Sequence, residues 1–162
     1  MTSTTVQHEY NGESFSVRQN SMQRTDFGRL LHAVLREPEK VPAIVKERPA
    51  ILEETNFTNE AVLHWLAVES HTEGIRLLRG LGARIPVYAL VETVEGGHLE
   101  TIILLLELGA DPESYPVERM LRRPLVEMSK RIQQIIRSYF MQFGYAVSEP
   151  VQGREDPAAL HR

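Results

Sequence analysis

The sequence predicts an all-α fold, a solenoid of stacked antiparallel helix pairs, and three observations predict it. Leu-Gly-Ala occurs twice, at 81–83 and at 108–110, and each copy closes the same kind of segment. His71, Glu73, Ile75, Leu77 and Leu78 before the first copy are matched by His98, Glu100, Ile102, Leu104 and Leu105 before the second. From Asp26 onward, apolar residues recur at helical spacing. Self-similarity at a fixed offset marks stacked repeats, which supply a binding surface more often than a reaction centre.

Residues 1–24 read as an N-terminal arm. Within it, 6–17 fits a β-hairpin about Asn11-Gly12, a pair that tolerates the positive φ angles of a type I′ turn. Val6, Tyr10, Phe15 and Val17 then share one face. A lone hairpin is marginal in water, so it docks on the helical body, binds a partner or stays largely disordered.

The body, 25–147, divides into helix pairs. Residues 29–36 pair with 38–48, residues 59–69 with 72–80, and residues 86–95 with 98–108. Ser70 and Glu73 have capping-box spacing, and Gly82 and Gly109 stand where a helix needs a left-handed closing residue. A helical C-terminal cap over 115–147 follows, with helices at 116–122 and 124–143, each carrying proline in its first turn. Leu125, Met128, Ile132, Ile135, Ile136, Tyr139 and Phe140 form one apolar stripe that Gly144 ends. Terminal repeats must cover the last hydrophobic face, which suits a cap here. Residues 148–162 are polar and Pro-containing, and read as a flexible tail.

Length and composition bound the function. At 162 residues, 42% hydrophobic and 25% charged, the chain suits one globular domain. A net charge of -4 argues against a general nucleic-acid binder. The absence of cysteine excludes disulfides and thiolate metal sites. Residues 1–23 contain no apolar core of a signal peptide, and no stretch approaches the roughly 18 apolar residues that span a bilayer. A soluble cytoplasmic protein without membrane contact, monomeric or a small oligomer, is the expectation. Charge is uneven along the chain. Glu37, Glu39, Glu47, Glu53, Glu54, Glu60, Glu69 and Glu73 outnumber Lys40, Lys46 and Arg48, while Arg119, Arg122, Arg123, Lys130, Arg131 and Arg137 face only Glu127.

At these residues the chain resembles the ankyrin-repeat family, whose pattern is Thr-Pro-Leu-His opening a first helix, Gly-His before a second, and Gly-Ala-Asp closing it. The best copy reads Asn59-Glu60-Ala61-Val62-Leu63-His64-Trp65-Leu66-Ala67, then Ser70-His71, then Gly82-Ala83-Arg84. The third keeps Gly97-His98, Glu100, Leu104-Leu105-Leu106 and Gly109-Ala110-Asp111, with Leu90-Val91 in place of Leu-His. A degenerate first copy runs over 26–52, with Pro49-Ala50 for Gly-Ala. Leu30 to Leu63 and Pro49 to Gly82 keep the family's period of about 33 residues. Gly82 to Gly109 is shorter, so the third copy should have a truncated finger between Ala83 and Val87.

The resemblance implies a non-enzymatic protein-binding module, an adaptor or inhibitor, that grips its partner with finger turns and the open side of the first helices. Carried over by position, those residues are Phe57, Thr58 and Glu60 on the full finger, Leu35, Arg36, Val68, Glu69 and Glu95 on the helices, and Phe27 at the first turn. Trp65 either packs between repeats or opens partly onto the groove, where tryptophan is a favoured anchor. Phe57 either folds back on its helix or is covered by a partner or the N-terminal hairpin. The acidic body favours a basic protein partner.

Catalytic and cofactor readings find less support. His64, His71 and His98 occupy structural slots of the repeat, and no serine or carboxylate stands at a recognisable spacing from them. His-x-x-x-His metal pairs are absent, and Glu53-Glu54 are expected to be solvated. Gly96-Gly97-His98 lacks the Lys-Ser/Thr of a phosphate loop. No metal and no cofactor are expected. Two alternatives stay open: a cytoplasmic immunity protein neutralising a cognate toxin or effector, by family analogy, and a nucleic-acid-associated factor using the basic C-terminal helix, whose binding would weaken steeply with salt.

Overall fold

Thr25 opens the helical body. Its side chain accepts a hydrogen bond from the Gly28 N–H at 3.0 Å, capping a helix over Asp26–Arg36 (α1). The computed structural model describes residues 25–147, apart from positions 113, 114, 123 and 125. The candidate hairpin at 6–17 and the tail at 148–162 therefore lie outside the described residues.

After α1, a 3-10 turn over Pro38–Lys40 leads into Val41–Glu47 (α2), and a second 3-10 turn spans Pro49–Glu53. Three further pairs follow: Val62–Val68 (α3) with Thr72–Gly80 (α4), Val87–Glu95 (α5) with Leu99–Glu107 (α6), and Val117–Leu121 (α7) with Lys130–Gln142 (α8). The fold is all-α. Among the described residues, extended pairing is limited to one antiparallel bridge between Thr55 and Ala61.

Each helix packs on its pair-mate, and the first helices also pack in chain order, α1 on α3, α3 on α5 and α5 on α7. The helical periodicity explains this order. Leu30, Leu63 and Leu90 hold matching places on α1, α3 and α5, and all three are fully buried. Ile75 and Leu78 on α4, and Ile102 and Leu105 on α6, are fully buried as well. Each such side chain contributes about 1.5–3 kcal/mol of transfer free energy. α8 packs on α6 and α7 and inserts Ile136 and Phe140 completely.

Both Leu-Gly-Ala copies close their helices in the same way. Gly82 and Gly109 take φ of 98° and 88°, and the following alanines donate to carbonyls five residues back, Ala83 to Leu78 at 3.0 Å and Ala110 to Leu105 at 2.8 Å. This closure satisfies helix carbonyls that would otherwise lack donors, and glycine enters the left-handed region without a Cβ clash. Tyr145 repeats it after α8, donating to Phe140 at 3.0 Å.

Several boundaries differ from the sequence-based expectation, α1 among them, which starts at Asp26 under the Thr25 cap and not at Arg29. Ser70 does not cap α4: it holds a left-handed φ of 56°, and His71 caps instead, its Nδ1 accepting from the Gly74 N–H at 3.0 Å. The second helix of the first pair divides at Lys40, because Pro42 can be seated only in the first turn of α2. The helix expected from Asn59 starts at Val62, since Asn59 holds a left-handed φ of 64° inside a turn. The last helix starts at Lys130 and not at Pro124, because Ser129 adopts an extended conformation and its hydroxyl accepts from the Ile132 N–H at 3.3 Å. No helix among the described residues is long and apolar enough to cross a membrane.

Candidate functional site

The finger turn between the first two pairs is built around Asn56. Its Oδ1 accepts from the N–H groups of Thr58 (2.9 Å) and Glu60 (3.0 Å), and its Nδ2 donates to Glu60 Oε2 at 2.8 Å. The backbone completes the ring, with Asn56 N–H donating to Glu60 O at 3.0 Å and Asn59 N–H to Asn56 O at 3.1 Å. The Thr58 hydroxyl lies 2.8 Å from Glu60 Oε2. These donors hold the Glu60 carboxyl below its usual range, the Asn56 amide most strongly, then Thr58, with the nearby His64 adding to them. Phe57 stands on this turn 94% exposed, so it does not fold back on α3. Sequence reasoning found Phe57, Thr58 and Glu60 but missed Asn56. An asparagine opening a turn, with backbone donors two and four residues later, was the available signal.

The open side of the first helices carries most of the other candidates. Leu35 is exposed at the end of α1, Val68 is half-buried at the matching turn of α3, and Glu95 is half-buried at the matching turn of α5. Arg36 and Glu69 are exposed beside them. Trp65 is half-buried, packed against the core while opening in part to solvent. Phe27 is not a surface residue: it is 2% exposed, because the Thr25 cap places it inside the first turn of α1, facing the core. The structure does not gather the candidates into one patch. Phe57, Thr58 and Glu60 precede α3, whereas Val68 and Glu69 end it, about 10 Å further along the axis.

Tyr88 extends the apolar side and was not expected. It is 61% exposed in the first turn of α5, edge-on to Tyr115 at 6.3 Å, and the Arg119 guanidinium lies 4.6 Å above the Tyr115 ring. Tyr88, Glu92 and Glu95 share the solvent side of α5 at helical spacing, which is how the sequence could have located it.

His64, Glu60 and Glu92 converge where α3 packs on α5. His64 is 6% exposed, and its Nε2 lies 3.3 Å from Glu92 Oε2 without forming a hydrogen bond. The three residues each offer a metal-ligating atom, and these atoms lie within 4.8 Å of one another. Such a donor set can hold a cation. His71 is committed as the α4 cap, and His98 is exposed.

Several charged groups elsewhere are paired. Arg137 makes two hydrogen bonds to Glu118, at 3.0 and 3.1 Å, which engages one member of the basic C-terminal series. Glu53 and Glu54, expected to be solvated, have partners: Glu53 accepts from the Arg84 N–H at 3.2 Å, and Glu54 pairs with Arg48 at 2.7 Å.

Comparison with protein-family models, curated proteins and solved structures finds no match for this chain.

Proposed function

We propose that the chain is a non-enzymatic protein-binding module, an adaptor or inhibitor built as a short ankyrin-like solenoid. Two features support the repeat reading: the first helices pack in chain order, and the Leu-Gly-Ala closures at Gly82 and Gly109 share one geometry. With no family model or solved structure matching, the reading rests on those features and the residue pattern.

The observation that carries the binding function is Phe57, 94% exposed on a turn fixed by the Asn56 hydrogen bonds. A large aromatic ring on a rigid turn gains apolar burial on contact and loses little conformational freedom. Leu35, Trp65, Val68 and Tyr88 offer further apolar area on the first helices, and Glu69 and Glu95 give that side a negative rim. A basic protein partner fits this charge, which would speed its docking.

Affinity capture from the native lysate tests the reading. Phe57→Ala should abolish capture of a specific protein or weaken it at least about tenfold, the order expected of an aromatic anchor. Its thermal midpoint should match the parent chain, because the ring makes little internal contact. Equal capture by Phe57→Ala and by a Leu35→Ser/Val68→Ser double variant would overturn the assignment of this surface.

A further inference from the structure

We propose that Glu60, His64 and Glu92 form a binding site for a divalent transition cation of the zinc class, seated where α3 meets α5. The inference stands on local geometry and holds whether or not the helix pairs are ankyrin-like.

The donor set fits that chemistry. One imidazole nitrogen and two carboxylates suit zinc and its neighbours, whereas calcium and magnesium prefer oxygen-only sets. All three ligand atoms lie within 4.8 Å of one another. Tetrahedral zinc with bonds near 2.0–2.2 Å needs them roughly 3.3–3.5 Å apart. A small rotation of Glu92, half-buried on a flexible stem, narrows that gap while Glu60 stays held by the turn.

His64 is the independent pointer to a ligand. Its side chain is 8% exposed, its Nε2 is aimed at Glu92, and that nitrogen makes no hydrogen bond. A buried ring nitrogen in that state leaves a polar group unsatisfied, which is costly. A cation bound there would satisfy it and offset two neighbouring negative charges at once. The surroundings also resemble a supporting shell. Asn56 Nδ2 and the Thr58 hydroxyl both reach Glu60 Oε2, which fixes the carboxylate and leaves Oε1 for a metal. Three protein ligands leave a fourth tetrahedral position for water.

The test is calorimetric titration of the full chain, stripped with a chelator, with zinc chloride at pH 7.5, alongside thermal melts. Saturable binding of one equivalent and a raised thermal midpoint are expected, since a ligand that binds only the folded state stabilises it. Magnesium chloride should not compete. Glu92→Gln and His64→Gln should each weaken binding by at least about tenfold, and Thr58→Ala by roughly tenfold through the supporting shell. His98→Gln should bind as the parent does. Glu92→Gln keeps the side-chain shape, so it decides the matter even if His64→Gln fails to fold, with circular dichroism as the check. The proposal is overturned by the absence of saturable binding. Unchanged affinity in Glu92→Gln, or binding that depends on His98, overturns it equally.

Discussion

Asn56 shows how much one side chain can hold. Its amide organises the finger turn from inside, so Phe57 can stand in solvent without the turn collapsing. Glu60 is the partner that reports on it. Its folded-state pKa lies below the ordinary value of 4.5, so its contribution to stability is present above that value and lost as pH falls through the lower folded value. Glu60→Gln should therefore flatten the acid limb of the stability profile below about pH 4.5, while changing its shape little near neutrality. Denaturant melts at successive pH values measure this, and an acid limb as steep as the parent's would show that the turn does not depend on that charge. At this scale turn position singled out Phe57 but left open whether the ring folds back, and the structure leaves it exposed. The sequence misled where a family position was carried over: Phe27 was placed at a turn, but the Thr25 hydroxyl starts α1 at Asp26 and turns Phe27 inward.

Among elements, the junction between α3 and α4 carries a cost that its counterpart avoids. His71 and His98 donate to the carbonyls of Leu66 and Thr93 in equivalent closures, but the left-handed residue is Ser70 in one and Gly97 in the other. A side chain in that region costs roughly 1–2 kcal/mol. Ser70→Gly should accordingly raise stability by about 1 kcal/mol, part of the gain being cancelled by the freer unfolded chain. A calorimetric midpoint that falls instead would mean that the Ser70 hydroxyl supports the junction. The misread capping box has the same origin. Serine is the commoner cap, but here the closure of the preceding helix claims its backbone, and the imidazole next to it takes the capping role. Local preference identified the right junction and the wrong residue. The start of α8 went astray similarly, with Ser129 overriding the proline signal at Pro124.

For the molecule as a whole, stability depends on the final helix. α8 buries Ile136 and Phe140 completely and packs on α6, while Met141 and Phe143 at its end stay exposed. Ile136→Ala should cost about 2–5 kcal/mol. Ending the chain before Ser129 should expose the side of α6 that α8 covers and produce aggregation, which light scattering detects; a soluble, monomeric, helical truncation would show that α8 is dispensable. Between pairs, Arg79 stitches α4 to α6, its guanidinium donating to Leu108 O at 3.2 Å and Ala83 O at 3.0 Å. The order of pairs was legible because leucine spacing survives in each copy. The His64 cluster was not. Glu92 belongs to a different helix and meets His64 only through packing of α3 on α5, a relation no linear spacing records.

On the proposed repeat reading, the matching endings at Ala83 and Ala110 would bracket an interchangeable module. A genetic duplication copying 84–110 in tandem would begin and finish at seams the chain already makes, and the newcomer could slot in ahead of α7. On that reading the architecture can lengthen through its interior, one helix pair at a time.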